Sequence, residues 1–186
     1  MEPTQPMPSL PELLRLDLRA KALWCYGRAG RHDVLRALGT DGTAAMLIYR
    51  LMQWSRRRRL VPLEMAFNKL NGMLCNCVIG RGAEFGPAFV LVHSGGVVIN
   101  GAVRGGRGVH VEHQVTVGAR HRGGCPVLGN DVFLGAGAKV LGAVTLGDGA
   151  QVGANAVVLQ DVPPGATAVG IPARIITRGP VANLAA

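Results

Sequence analysis

The chain has 186 residues, enough for one ordinary domain with a small appendage. Hydrophobic residues make up 48% and aromatics only 4%, so a sizeable core forms and is aliphatic; the 27 glycines, about twice the usual ~7%, follow no collagen period. The net charge of +9, from 17 Arg and 3 Lys against 11 acids, favours anionic partners: nucleic acid, anionic lipid, a phosphorylated cofactor or an acidic glycan.

The first half of the chain has a helical period. Leu10, Leu13, Leu14 and Leu18 fit one helix face. After a turn at Gly39–Gly42, Asp41 and Thr43 are N-cap candidates for a second helix with Ala44, Leu47, Ile48, Leu51 and Met52 on its apolar face. That helix ends in Arg56–Arg59, where cations suit the negative end of the helix dipole. Pro62 opens a third helix, striped by Leu63, Ala66, Phe67, Leu70, Met73 and Leu74. Residues 1–76 are therefore expected to form a small helical N-terminal subdomain.

From residue 77 to 178 the period becomes six. Ile79, Phe85, Leu91, Val97, Val103, Val109 and Val115 form one apolar series, and Leu128, Leu134, Val140, Leu146, Val152 and Val158 a second. Four residues after each member of the second series stands a small or aliphatic residue: Val132, Ala138, Val144, Ala150, Ala156 and Val162. Neither a 3.6-residue helix nor a two-residue strand repeats at six. This is the hexapeptide signature of a parallel β-helix, in which each hexad is a short strand plus a corner and three hexads close a coil. Between Val115 and Leu128 the step is thirteen residues, so 118–126 (GARHRGGCP) is expected as a loop thrown out of the coil. Residues 179–186 remain as a tail.

These hexads, with HSGGVVIN (93–100), VTVG (115–118), LGAGAKVLG (134–142) and GIPARII (170–176), resemble the serine O-acetyltransferase branch of the hexapeptide acyltransferases. DLRA (17–20) and YRLMQW (49–54) are similar to that branch's helical segment. The resemblance implies a mainly β protein, a left-handed parallel β-helix behind a small α-helical subdomain, assembled as a homotrimer with active sites between subunits. It also implies transfer of acetyl from acetyl-CoA to a hydroxyl. The family's catalytic histidine matches His93; imidazole suits removal of a hydroxyl proton near neutrality. The family pairs it with an aspartate fifteen residues upstream, which here is Val78; Glu112, one coil further on, is the candidate to replace it. By similarity to the wider superfamily, Ala136 and Ala154 contact the pantetheine arm, and Gln160 and Arg174, with Arg178, lie near the nucleotide end.

The acceptor side departs from the family. The acidic residue before the histidine is Val92, an Arg-His pair near the loop's end becomes Gly124-Cys125, and a further substrate aspartate falls at Cys25. Arg120 and His121, with Arg122, are the candidates to grip the acceptor from the loop. L-serine is the acceptor on overall resemblance, and a sugar hydroxyl in exopolysaccharide or glycan assembly is the alternative. A non-catalytic β-helix module is the third reading. The family's cysteine synthase partnership depends on a C-terminal isoleucine tail, and this chain ends NLAA, which argues against it.

The remaining signals point away from other functions. HVEH (110–113) puts His110 and Glu112 on one strand face and His113 on the other, so no metal is expected; Cys75-x-Cys77 lacks a partner pair for zinc. Few aromatics accompany Arg56–Arg59, so no nucleic-acid partner is expected. The N-terminus has no secretory pattern, no apolar run spans a bilayer, and four irregular cysteines make no disulfide framework; a cytoplasmic protein is expected.

Overall fold

The computed structural model describes residues 8–120 and 123–177. Four helices come first: α1 (Leu10–Tyr26), α2 (Arg31–Ala37), α3 (Thr43–Arg57) and α4 (Val61–Cys75). The sequence reading anticipates α1, α3 and α4 and misses α2, whose two turns carry too short an apolar pattern to register. α1 ends at Gly27, in the left-handed conformation (φ 66°) that favours glycine. The expected turn before α3 is present, but its residues play other parts. Gly42, not Asp41 or Thr43, occupies the cap position, and no side chain caps the helix.

Among the described residues fifteen short strands follow and build three faces of a prism. The first face stacks β1 (Cys77–Ile79), β4 (Val97–Ile99), β7 (Thr116–Gly118), β10 (Lys139–Leu141) and β13 (Val157–Val158). The second stacks β2 (Glu84–Phe85), β5 (Arg104–Gly105), β8 (Val127–Leu128) and β11 (Thr145–Leu146). The third stacks β3 (Val90–Leu91), β6 (His110–Val111), β9 (Phe133–Leu134), β12 (Gln151–Val152) and β14 (Thr167–Val169), with β15 (Arg174–Ile176) folding back antiparallel. All other pairings are parallel, so the chain is a mainly β, parallel β-helix behind a helical segment, as the hexads require.

The register corrects one detail of the hexad reading. Regular coils advance eighteen residues, as Val98 pairs Thr116 and Lys139 pairs Val157. The first coil advances twenty, because Cys77 pairs Val97. The two extra residues lie at the corner between the third and first faces, at 92–96. There the apolar series passes from one inward slot to the other: Ile79 stacks on Ile99, and Val97 takes the smaller slot beside it. Both slots are buried, so the period of six survives the slip unseen. The coil through β7 and β8 advances twenty-three, since Arg104 pairs Val127. The five extra residues leave at the corner between first and second faces, within the expected loop.

The prism interior and the helices share one core. Met46, Tyr49 and Met52 of α3 close the end of the prism against Phe85 and Phe89, whose rings stack at 4.4 Å. Under them lies a buried polar network. Arg50 Nε and Nη2 donate to the Asp17 carboxylate at 2.6 and 3.1 Å, and its remaining donors reach Gln53 Oε1 and the Phe85 and Gly86 carbonyls. Asp17 also accepts the Phe89 amide at 3.0 Å. The DLRA and YRLMQW segments thus lock α1 and α3 onto the first coil. This turns the buried face of α3 to Ala45, Met46, Tyr49, Arg50, Met52 and Gln53; of the expected stripe Met52 is buried, Leu47, Ile48 and Leu51 are half-buried and Ala44 is exposed. α4 is largely inverted: Glu64 and Asn71 face inward, while Leu63, Leu70, Met73 and Leu74 are exposed; of the expected stripe Phe67 packs against the core.

Candidate active site

The corner that holds the two extra residues carries His93. The same corner in successive coils carries His113, Ala136 and Ala154, stacked by backbone hydrogen bonds: Gln114 N–H to Gly95 O, Gly137 N–H to His113 O, and Asn155 N–H to Ala136 O. Each coil turns through a left-handed residue here: Gly96, Gln114, Gly137 and Asn155. The β-sheet spacing of ~4.8 Å separates the coils, so these positions form one straight edge. Ala136 and Ala154, the expected pantetheine contacts, both lie on this edge, and their small side chains leave the corner backbone approachable.

His93 stands half-exposed at the bottom of this edge. Its Nδ1 lies 2.9 Å from Oδ2 of Asp41. Asp41 belongs to the turn before α3, so the carboxylate comes from the helical segment. Its other oxygen accepts the Gly42 amide at 2.8 Å, which fixes the carboxylate plane. Burial tends to push the Asp41 carboxyl up, but the hydrogen bonds from His93 and the Gly42 amide outweigh it and hold the group below its ordinary value. With Nδ1–H given to Asp41, the lone pair on Nε2 is left for a reacting proton.

Glu112 does not fill the place expected of it. Its carboxylate lies 3.6 Å from Nδ1 of His113, and among the described residues His93 makes its ion pair with Asp41. Val78 is half-exposed on β1 and pairs with Val98. The rings of His93 and His113 meet edge to face at 5.8 Å. A cleft of about 430 Å³ opens over them, lined by Asp41, Asn76, His93, Gly95, Gly96, His113 and Gln114.

The other expected residues lie elsewhere. Arg120 is exposed at the corner between first and second faces, a different edge of the prism from His93. His121 and Arg122 lie outside the described residues, as do Arg178 and the tail 179–186. Gln160 reaches the Ala173 carbonyl at 3.4 Å, and Arg174 opens β15, so both stand at the far end of the prism. His110 bonds the Gly108 carbonyl and packs against Trp24, and burial pushes its pKa down. Among the described residues no three of His, Cys, Asp and Glu gather as metal ligands. Arg56 pairs with Glu64 at 3.2 Å and Arg58 lies over the Trp54 ring, which accounts for half of the arginine run.

The sequence reading missed Asp41 as a site residue. Its one local signal is the Asp-Gly pair, which marks a turn; the contact with His93 spans 52 positions and no local pattern announces it.

Comparison with known proteins agrees with this architecture. The bacterial transferase hexapeptide repeat pattern matches residues 125–160. A serine acetyltransferase of Helicobacter pylori (strain J99) is 42% identical over 177 residues, covering 91% of this chain and 95% of that protein. The chain belongs to the serine acetyltransferase family. It is an acyltransferase, and the resemblance drawn from the hexads, HSGGVVIN and GIPARII is borne out. The crystal structure of serine acetyltransferase from Vibrio cholerae superposes with a TM-score of 0.83 at 31% identity, covering 93% of this chain and 67% of that one. The Brucella abortus enzyme in complex with coenzyme A superposes at 0.79 and 27% identity, covering 89% and 67%.

Proposed function

We propose that this chain transfers acetyl from acetyl-CoA to the hydroxyl of L-serine, with His93 as general base and Asp41 as its orienting carboxylate. The His93–Asp41 pair in the cleft carries the reading. The acceptor hydroxyl gives its proton to Nε2 of His93 as its oxygen attacks the thioester carbonyl carbon. The imidazolium so formed is stabilised by Asp41. Collapse of the tetrahedral intermediate breaks the C–S bond, and the proton passes from His93 to the departing thiolate. The column from His93 through His113, Ala136 and Ala154 runs toward Gln160 and Arg174. It gives the pantetheine arm a path along exposed backbone, with its nucleotide end near the Arg174 guanidinium. CoA bound to the Brucella relative supports acetyl-CoA as donor.

We propose a homotrimer, with Arg120 of one copy reaching the His93 cleft of the next. Two observations support it. Arg120 and His93 leave one chain from different edges, and Leu63, Leu70, Met73 and Leu74 of α4, with Val78 and Val98, are exposed apolar side chains. The four cysteines are free thiols and no described helix is long and apolar enough to cross a membrane, which supports the cytoplasmic placement.

One observation favours a second reading, a sugar hydroxyl as acceptor. The described lining of the cleft offers amide and imidazole groups from Asn76, Gln114 and His113, which suit neutral hydroxyls, and no Lys or Arg for an amino-acid carboxylate. The test is thiol release from acetyl-CoA with L-serine and with a panel of sugars, for wild type and His93→Ala. Release with serine, falling on the order of 10²–10⁴-fold in the variant, is expected. Release with sugars alone replaces serine by the second reading, and no release with any acceptor overturns both.

A further inference from the structure

We propose that Lys21 is a positioning residue for acetyl transfer, holding the Asp41 turn against the chain segment that carries His93. The inference rests on the acetyltransferase reading and extends it to a side chain outside the cleft. Lys21 lies on α1 and is only 1% exposed. An ammonium has three donors and no acceptor. Here all three are spent: Nζ donates to the carbonyls of Asp41 at 2.6 Å, Leu91 at 2.7 Å and Val92 at 2.7 Å. One of these belongs to the dyad carboxylate's own residue, and the other two immediately precede His93. The ammonium therefore joins two segments about fifty positions apart that carry the two side chains of the pair.

The surroundings are built for this closure. Gly42 follows Asp41 at φ 77°, and a Cβ there would run into the Leu91 carbonyl, so the turn can approach the strand only with glycine. Without the ammonium, three converging carbonyl oxygens would lose their donor in a buried site. Lys21 does not itself line the cleft; it reaches the pair through the backbone of Asp41 and of the two residues before His93. A shift of about 1 Å in a catalytic group costs on the order of 10²-fold in rate.

The experiment is a double-mutant cycle on the full chain. Lys21→Met keeps the stem and removes the ammonium. It is expected to lower kcat at least about tenfold while the KM for acetyl-CoA stays within about twofold. In the Asp41→Asn background the same change is expected to alter kcat by less than about twofold, because the carboxylate through which it acts is already gone. A second readout needs no activity: the downfield imidazole proton of an Nδ1–H···carboxylate bond, present in wild type and absent in Asp41→Asn, is expected to vanish in Lys21→Met. Wild-type kcat with that resonance intact, or losses that multiply across the cycle, would overturn the proposal. If Lys21→Met does not fold, Lys21→Gln, with two donors for three carbonyls, is read by the same criteria. An inactive wild type would remove the acetyltransferase reading, and the proton resonance would then decide alone whether Lys21 holds the pair.

Discussion

Asp41 shows how a surface carboxylate acquires a fixed role. Its folded pKa is depressed, because the His93 and Gly42 hydrogen bonds outweigh partial burial. A depressed carboxylate contributes stability that is fully present above the unfolded value of about 3.9 and is lost as pH falls through the folded value. The unfolding-temperature difference between wild type and Asp41→Asn is therefore expected to be constant near neutrality and to shrink below about pH 4. A difference that grows in acid would contradict the pairing. The cysteines give a second check. Burial, reinforced by neighbouring Cys75, pushes the Cys77 thiol up to about 12, whereas Cys25 is exposed. At pH 8 a thiol reagent is expected to modify Cys25 at once and Cys77 only on unfolding; early loss of Cys77 would mean the first coil opens readily. His93 was legible because its neighbours carry a family motif. Asp41 and Lys21 were not, because Asp41's partner lies 52 positions away and Lys21's lie 20 and about 70 away, and these contacts exist only once the helices dock.

The helices dock through charge as much as through apolar area. Burial pushes the Asp17 carboxyl up even though Arg50 and the Phe89 amide pull it down, so the pair depends on complete hydrogen bonding. Arg50→Met would leave Asp17 buried without its counter-charge and the Phe85 and Gly86 carbonyls without a donor. The loss is expected to be about 3–5 kcal/mol, read from the denaturant midpoint. Restoring much of it by adding Asp17→Leu would show that the unpaired charge is the cause; a loss below about 1 kcal/mol would mean that docking rests on the apolar contacts alone. The β-helix was legible because thirteen apolar positions hold a strict period of six. The two-residue slip at 92–96 was hidden, because Val97 fits either inward slot. The face of α4 was misread for a different reason: its apolar stripe is real but points outward, and periodicity alone does not say what a stripe meets.

The exposed apolar residues of α4, with exposed Val78 and Val98, are what the proposed trimer would cover. Light scattering is expected to give about three times the 19.5 kDa chain mass, and Met73→Glu with Leu74→Glu to lower it; a monomer in wild type would remove the shared-cleft arrangement. The proposed pair has Asp41 on the helical segment and His93 on the prism, where the resemblance to the family implies both on the prism. The most direct test of that claim is steady-state thiol release from acetyl-CoA by Asp41→Asn beside wild type, with whichever acceptor wild type accepts. The expected result is a kcat lower by about 10²-fold or more with the KM for acetyl-CoA unchanged. A variant that keeps kcat within about threefold of wild type would show that Asp41 does not orient His93, and the account of this site would fail.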